Sequence, residues 1–201
     1  MTKISIIDYG VGNLFSMGNA LRKTGAQVDI VKTREEILAA DGVVLPGVGN
    51  FGAAALKIYP LAEALREAAG NGVPLLGSCL GMQLMFEQSE EAEGEGLGLL
   101  QGWIREFKGE LKTPHMGWNT LNATRSSPLL EGIPDGSYFY FVHSYYPDPV
   151  NKEDSLAETI YGERFTSIVE RGNVYGCQFH PEKSGKAGAV LLSNFVRLVR
   201  R

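Results

Sequence analysis

Along the first ninety residues, short apolar runs alternate with stretches of helix-forming composition. Residues 4–7, 27–31, 42–45 and 73–76 are apolar runs of strand length. Between them, residues 14–23, 33–40 and 61–69 read as helices. Gly25 closes the first, and Thr33 with Glu36 forms a capping-box pattern that opens the second. Strictly alternating strands and helices predict a parallel sheet covered on both faces. The second half changes character. Residues 102–108, 120–123, 137–143 and 156–161 read as strands with no long helices between them. Residues 166–170 and 174–179 flank Arg171-Gly172-Asn173, a hairpin turn. A last helix spans about 186–200, with Val190, Leu191, Phe195, Leu198 and Val199 mostly on one face and Arg197, Arg200 and Arg201 at its end. No linker splits the chain. The expectation is one α/β domain over residues 1–201, a mostly parallel sheet with an antiparallel extension.

Composition narrows the function. A net charge of −4 with no basic run argues against nucleic-acid binding. No apolar stretch reaches membrane-spanning length, and the first strand is too short for a signal peptide. Two distant cysteines, Cys79 and Cys177, suggest free thiols in a reducing compartment, the cytoplasm. The acidic run 90–96 reads as a solvated loop.

Candidate chemistry centres on Gly77-Ser78-Cys79-Leu80-Gly81. Cys79 falls between the strand at 73–76 and a predicted helix over 80–88, with glycine two residues away on each side. This is the spacing of a nucleophile elbow. A helix N-terminus also favours a thiolate. The base is sought among His115, His143 and His180. His180 is singled out by Glu182, because residues i and i+2 of an extended strand point to one side. Pro181 helps to hold His180 extended. Glu182 then fixes the imidazole tautomer while the other ring nitrogen faces the thiol. Acyl transfer also needs an oxyanion hole. Its candidate donors are the amide of Leu80 and, from the glycine-rich loop 46–52, the amide of Val48, each contributing about 3–4 kcal/mol. Gly47, Gly49 and Gly52 in that loop also match a dinucleotide fingerprint. They do not sit in the first strand–helix turn, and no acidic residue ends a strand about twenty positions on, so nucleotide binding is rejected. The histidines and cysteines lack metal-ligand spacing.

With Cys79, His180 and Glu182 in place, the chain resembles the class I glutamine amidotransferases over essentially its whole length. Asp8-Tyr9-Gly10-Val11-Gly12-Asn13-Leu14, residues 46–52, Pro114-His115-Met116-Gly117-Trp118-Asn119 and Phe141-Val142-His143-Ser144-Tyr145-Tyr146 resemble the glutaminase subunits of imidazole glycerol phosphate synthases. Gln178-Phe179-His180-Pro181-Glu182-Lys183-Ser184 is shared by the wider class. The resemblance implies a flavodoxin-like fold and glutamine hydrolysis through a cysteinyl thioester, without cofactor or metal. It further implies substrate contacts from Gln83, Glu91, Ser144 and Tyr145. It implies a heterodimer with a (β/α)8-barrel cyclase, which makes imidazole glycerol phosphate and aminoimidazole carboxamide ribotide in histidine biosynthesis. Asn13, Trp118 and Lys183, expected in loops near the mouth, are the interface candidates. Glutaminases of other pathways, and elbow-cysteine hydrolases or peptidases, share part of the pattern and stay open here. One position departs from the family, where a β-branched aliphatic commonly precedes the nucleophile. Ser78 stands there, and either a packing loss or a new local hydrogen bond is expected.

Overall fold

The structure, a computed structural model, describes residues 2–200; Arg201 lies outside the described residues. Strands β1 (Lys3–Ile7), β2 (Gln27–Val31), β3 (Gly42–Gly47) and β4 (Leu75–Cys79) alternate with helices α1 (Leu14–Arg22), α2 (Arg34–Leu38), α3 (Phe51–Ile58) and α4 (Ala62–Gly70). After the elbow come α5 (Leu80–Gln83), β5 (Gln88–Ser89), β6 (Gly102–Glu106), β7 (His115–Thr120), β8 (Asn122–Ala123) and β9 (Tyr138–His143). The chain ends with β10 (Tyr145–Pro149), β11 (Ser155–Tyr161), β12 (Glu163–Arg171), β13 (Val174–Cys177) and α6 (Gly185–Val199).

The central sheet runs β2-β1-β3-β4-β13-β12-β11-β8. Its first five strands are parallel, and the last three join antiparallel as the expected extension. Side chains alternate across the sheet, so the apolar runs feed two cores. Ile7, Val43, Leu45 and Leu75 bury under α2, α3 and α4, against Ile37, Phe51 and Leu65. Ile4, Ile6, Val44 and Leu76 face the other way, against Met17 and Leu21 of α1 and Leu191 and Phe195 of α6. At roughly 1.5–3 kcal/mol per fully buried aliphatic or aromatic side chain, these two layers are the main source of stability.

Local signals account for several boundaries. Thr33 and Glu36 form the reciprocal capping box, and the Arg171–Val174 pairing leaves Gly172-Asn173 as a two-residue turn. Four expectations fail. The loop 46–52 is shorter than expected, because β3 continues to Gly47 and Asn50 caps α3, accepting from Ala53 N at 3.1 Å. The helix expected over 80–88 stops after one turn. The carbonyls of Leu84, Met85, Phe86 and Glu87 accept instead from the amides of Leu97, Leu100, Gly98 and Gly96, so a second loop takes the bonds that would have continued it. The acidic run is not a free solvated loop. Glu91 Oε2 accepts from Phe51 N at 2.6 Å, and Glu90 pairs with Arg105 at 2.9 Å. Trp118, expected in a loop, stands on β7, which pairs with β9.

Candidate active site

Register brings the predicted groups to the carboxyl edge of the sheet. Gly47 at the end of β3 lies opposite Cys79, and Cys177 at the end of β13 lies opposite Ser78. In open α/β sheets this edge is where ligands bind. Cys79 is the only non-glycine residue among those described with a positive φ, 54°, a strained turn of order 1–3 kcal/mol. The turn requires close backbone approach. A Cβ on Gly81 would overlap the Leu45 carbonyl, and one on Gly77 would stand 2.6 Å from Met82 Cα. Gly47 is tied to the same junction, since a Cβ there would lie 2.6 Å from both Gly81 N and the Tyr9 hydroxyl. The glycines that mimic a dinucleotide fingerprint thus include one fitted to the elbow.

His180 Nδ1 lies 3.1 Å from Glu182 Oε1, and both side chains are almost fully buried. Burial alone would lower the His180 pKa. Hydrogen bonds to Cys79 and Glu182 outweigh it and raise the pKa to about 9. The Cys79 sulfur lies 3.7 Å from Val142 O. A cleft of about 300 Å³ opens above it, lined in part by Val48, Leu80, Gln83, Glu91, Ser144, Tyr145, His180 and Lys183. Every predicted catalytic, oxyanion-hole and substrate residue except Glu182 therefore lines one cavity, with Glu182 behind His180. Glu91 is already engaged as the α3 amide acceptor. Asn13 caps α1, Trp118 is exposed on β7 rather than in a loop, and Lys183 ends a 3-10 turn.

Ser78 resolves as the second expected outcome. It is buried outside the cleft, and its hydroxyl donates to Phe179 O at 3.3 Å. The same carbonyl accepts from Cys177 Sγ at 3.5 Å, so it keeps a partner without Ser78. Ser78→Val is therefore expected to change stability by no more than about 1 kcal/mol, with turnover within a few-fold. Denaturant titration and a glutaminase assay check this, and a loss of activity above about tenfold contradicts it.

The match to a family model described as "Glutamine amidotransferase class-I" spans residues 5–199. The imidazole glycerol phosphate synthase subunit HisH of Methanocaldococcus jannaschii is 47% identical, covering 98% of this chain and 100% of its own length. That of Moorella thermoacetica is 48% identical over 100% and 97%. The chain belongs to the HisH family of class-I glutamine amidotransferases. Solved structures agree on the fold. A glutamine amidotransferase from Thermotoga maritima superposes with TM-score 0.75 at 15% identity, over 100% of this chain and 99% of its own. PurLQS from the same organism gives 0.79 at 18%, over 98% of each. Like other members of the HisH family, the chain is an enzyme that acts on glutamine, and its relatives carry the name of a subunit.

Sequence reasoning missed three groups around the sulfur. Gln178, fully buried, has its Nε2 3.9 Å from Cys79 Sγ. It precedes His180 by two, just past the end of β13. The expected extended backbone stops at His180, because Pro181–Lys183 is a 3-10 turn, and Glu182 reaches the imidazole from that turn and not from the strand. Tyr9 donates to Pro46 O at 2.9 Å and is buried beside Cys79, which raises its pKa. His143 also lines the cleft and pairs with His115 at 3.0 Å. Burial lowers both pKa values, His115 to about 4 and His143 to about 3. Each ring is thus neutral when folded, and below pH about 6.5 the unfolded chain binds more protons than the folded one. Stability falls with acidification from about 6.5, by up to about 1.4 kcal/mol per pH unit per histidine. The His180 contribution has the opposite sign. It is complete below about 6.5 and is lost as pH rises through about 9. Urea midpoints should be lower at pH 5 than at pH 6.5; equal midpoints contradict the neutral pair.

Proposed function

We propose that this chain folds as one domain that hydrolyses glutamine at the Cys79 elbow and hands the ammonia to a docked (β/α)8-barrel cyclase. The observation that carries the chemical part is the strained Cys79 turn facing His180, itself bonded to Glu182 at 3.1 Å. Cys79 attacks the side-chain carbonyl carbon of glutamine. The proton held on His180 passes to the departing nitrogen, which leaves as ammonia. His180 then removes a proton from water, which adds to the thioester and releases glutamate and the free thiol. Glu182 holds the ring and balances the imidazolium charge. The amides of Leu80 and Val48 stabilise both tetrahedral oxyanions. Gln83 and the Ser144-Tyr145 backbone contact the substrate, and Glu91 draws its ammonium to the cavity wall.

The partner reading rests on chemistry and on surface. Ammonia released into neutral water becomes ammonium and loses its nucleophilicity, so a synthase must seal the mouth. Trp118 (55% exposed), Met116 (63%) and Phe15 (74%) are large, apolar and exposed. Phe15 follows Asn13 by two residues at the start of α1, Met116 precedes Trp118 by two on β7, and Lys183 lines the cleft. The cyclase would join ammonia to a phosphoribosyl-bearing precursor, giving imidazole glycerol phosphate and aminoimidazole carboxamide ribotide in the cytoplasm. Among the described residues no helix is long and apolar enough to cross a membrane. The test compares glutaminase turnover of the chain alone, with the cyclase, and with the cyclase plus precursor. Turnover should rise by about tenfold or more in the full mixture; identical rates in all three contradict the partner reading.

A further inference from the structure

An unbroken series of polar groups connects β7 to the Cys79 sulfur, and its proton positions follow from its two ends. The Asn119 amide is fixed on both sides. Its Nδ2 donates to Ile160 O at 2.9 Å, and its Oδ1 accepts from Thr120 N at 2.7 Å. Nδ2 also lies 3.2 Å from His115 Nε2, which must therefore accept. A neutral imidazole that accepts at Nε2 carries its proton on Nδ1. His115 Nδ1 lies 3.0 Å from His143 Nε2 and donates to it. His143 then carries its own proton on Nδ1 and donates to Tyr145 O at 2.8 Å.

The same carbonyl sets the other half. A carbonyl only accepts, so Gln83 presents Nε2 to Tyr145 O, at 3.0 Å. The second hydrogen of that Nε2 goes to Gln178 Oε1 at 3.2 Å. With its oxygen so engaged, the Gln178 amide turns Nε2 toward Cys79 Sγ, at 3.9 Å. Gln178 is fully buried, and both histidines are nearly so. Water does not compete for these bonds, and an inverted amide would set an oxygen against a thiolate.

We propose that Gln178 is a further catalytic residue, a hydrogen-bond donor to the Cys79 sulfur. Asn119, His115, His143 and Gln83 are the positioning residues that lock its amide in the donating orientation. No proton travels along the series; each hydrogen stays on its own nitrogen while the sulfur passes from thiolate to thioester. The inference rests on Cys79 being the nucleophile. It also connects the reacting atom to the strand that carries the exposed Met116 and Trp118.

Two measurements test it. Nitrogen NMR of the full chain with labelled histidine, near neutral pH, should find both His115 and His143 in the Nδ1–H tautomer. Asn119→Asp, which turns an acceptor toward His115, should move the His115 proton to Nε2. The second measurement follows alkylation of the Cys79 peptide by iodoacetamide. Gln178→Met should slow it, and lower kcat with KM for glutamine little changed, by about ten- to a hundredfold. Nε2–H tautomers in the wild-type chain, which requires no variant to fold, overturn the proposal. So does a folded Gln178→Met protein that is alkylated at the wild-type rate. If Cys79→Ala retained glutaminase activity, the nucleophile assignment itself would fall, an outcome distinct from both.

Discussion

Cys79→Ala is expected to abolish glutamine hydrolysis, lowering turnover by about 10⁴-fold or more, while the protein stays folded. The size of the loss follows from how the site is divided. His180, Glu182 and the amide donors all act on a carbonyl that Cys79 has attacked; without the sulfur they have no tetrahedral intermediate to serve. The fold is spared because the sulfur's contacts to Val142 O, at 3.7 Å, and Gln178 Nε2, at 3.9 Å, are long, and its hydrogen bond to His180 serves the site and not the core. Alanine meets the same positive φ as cysteine, so the turn is no worse off. Thermal melting of the variant should match the parent within a few degrees, and the glutaminase assay should read background. A folded variant with activity within tenfold of wild type would contradict the assignment.

Gly81→Ala has the largest expected effect on stability. A Cβ on Gly81 would overlap the Leu45 carbonyl and approach Pro46 C at 3.2 Å. Both are backbone, so relief requires separating the first turn of α5 from β3. That junction also holds Gly47, whose own Cβ would meet Gly81 N. A loss of about 3 kcal/mol or more is expected, with activity falling even in the folded fraction because Cys79 moves. Gly70→Ala supplies the contrast. Gly70 lies in α4, with no heavy atom within 4 Å of where a methyl group would stand and no positive φ. Alanine there should be neutral or stabilising by up to about 1 kcal/mol. Urea titration of both variants checks the pair, and a Gly81→Ala protein as stable as Gly70→Ala contradicts the packing account.

The parallel half of the fold was legible because its strands are buried on both faces and stand out as apolar runs. So was the proximity of Cys79, His180 and Glu182, since an elbow spacing and a His-x-Glu spacing are local signals. What escaped was set by contacts distant in sequence. The helix after the elbow ends early because residues 96–100 capture its carbonyls. Strand β7 inverts the usual alternation, burying His115 while exposing Met116 and Trp118, so the period-two rule had no apolar face to find. Strand β10 contains Pro147 and Pro149, which suit an edge position, and it is indeed the edge of its three-stranded sheet. Helix α3 carried a readable signal in Asn50, but the surrounding glycines suggested a loop. Gln178 was hidden for a different reason. It stands inside the most legible motif of the chain, and its role depends on an amide orientation that Gln83 and Tyr145 impose from elsewhere.

In the proposed reaction, glutamine is cleaved through a covalent bond to Cys79. Acid-quenching the chain during turnover, digesting it and weighing the peptides by mass spectrometry tests that bond directly. One glutamyl group is expected on the peptide that holds Cys79, lost on standing at neutral pH and absent from Cys79→Ala. A glutamyl group on any other residue, or steady hydrolysis by Cys79→Ala, would contradict it.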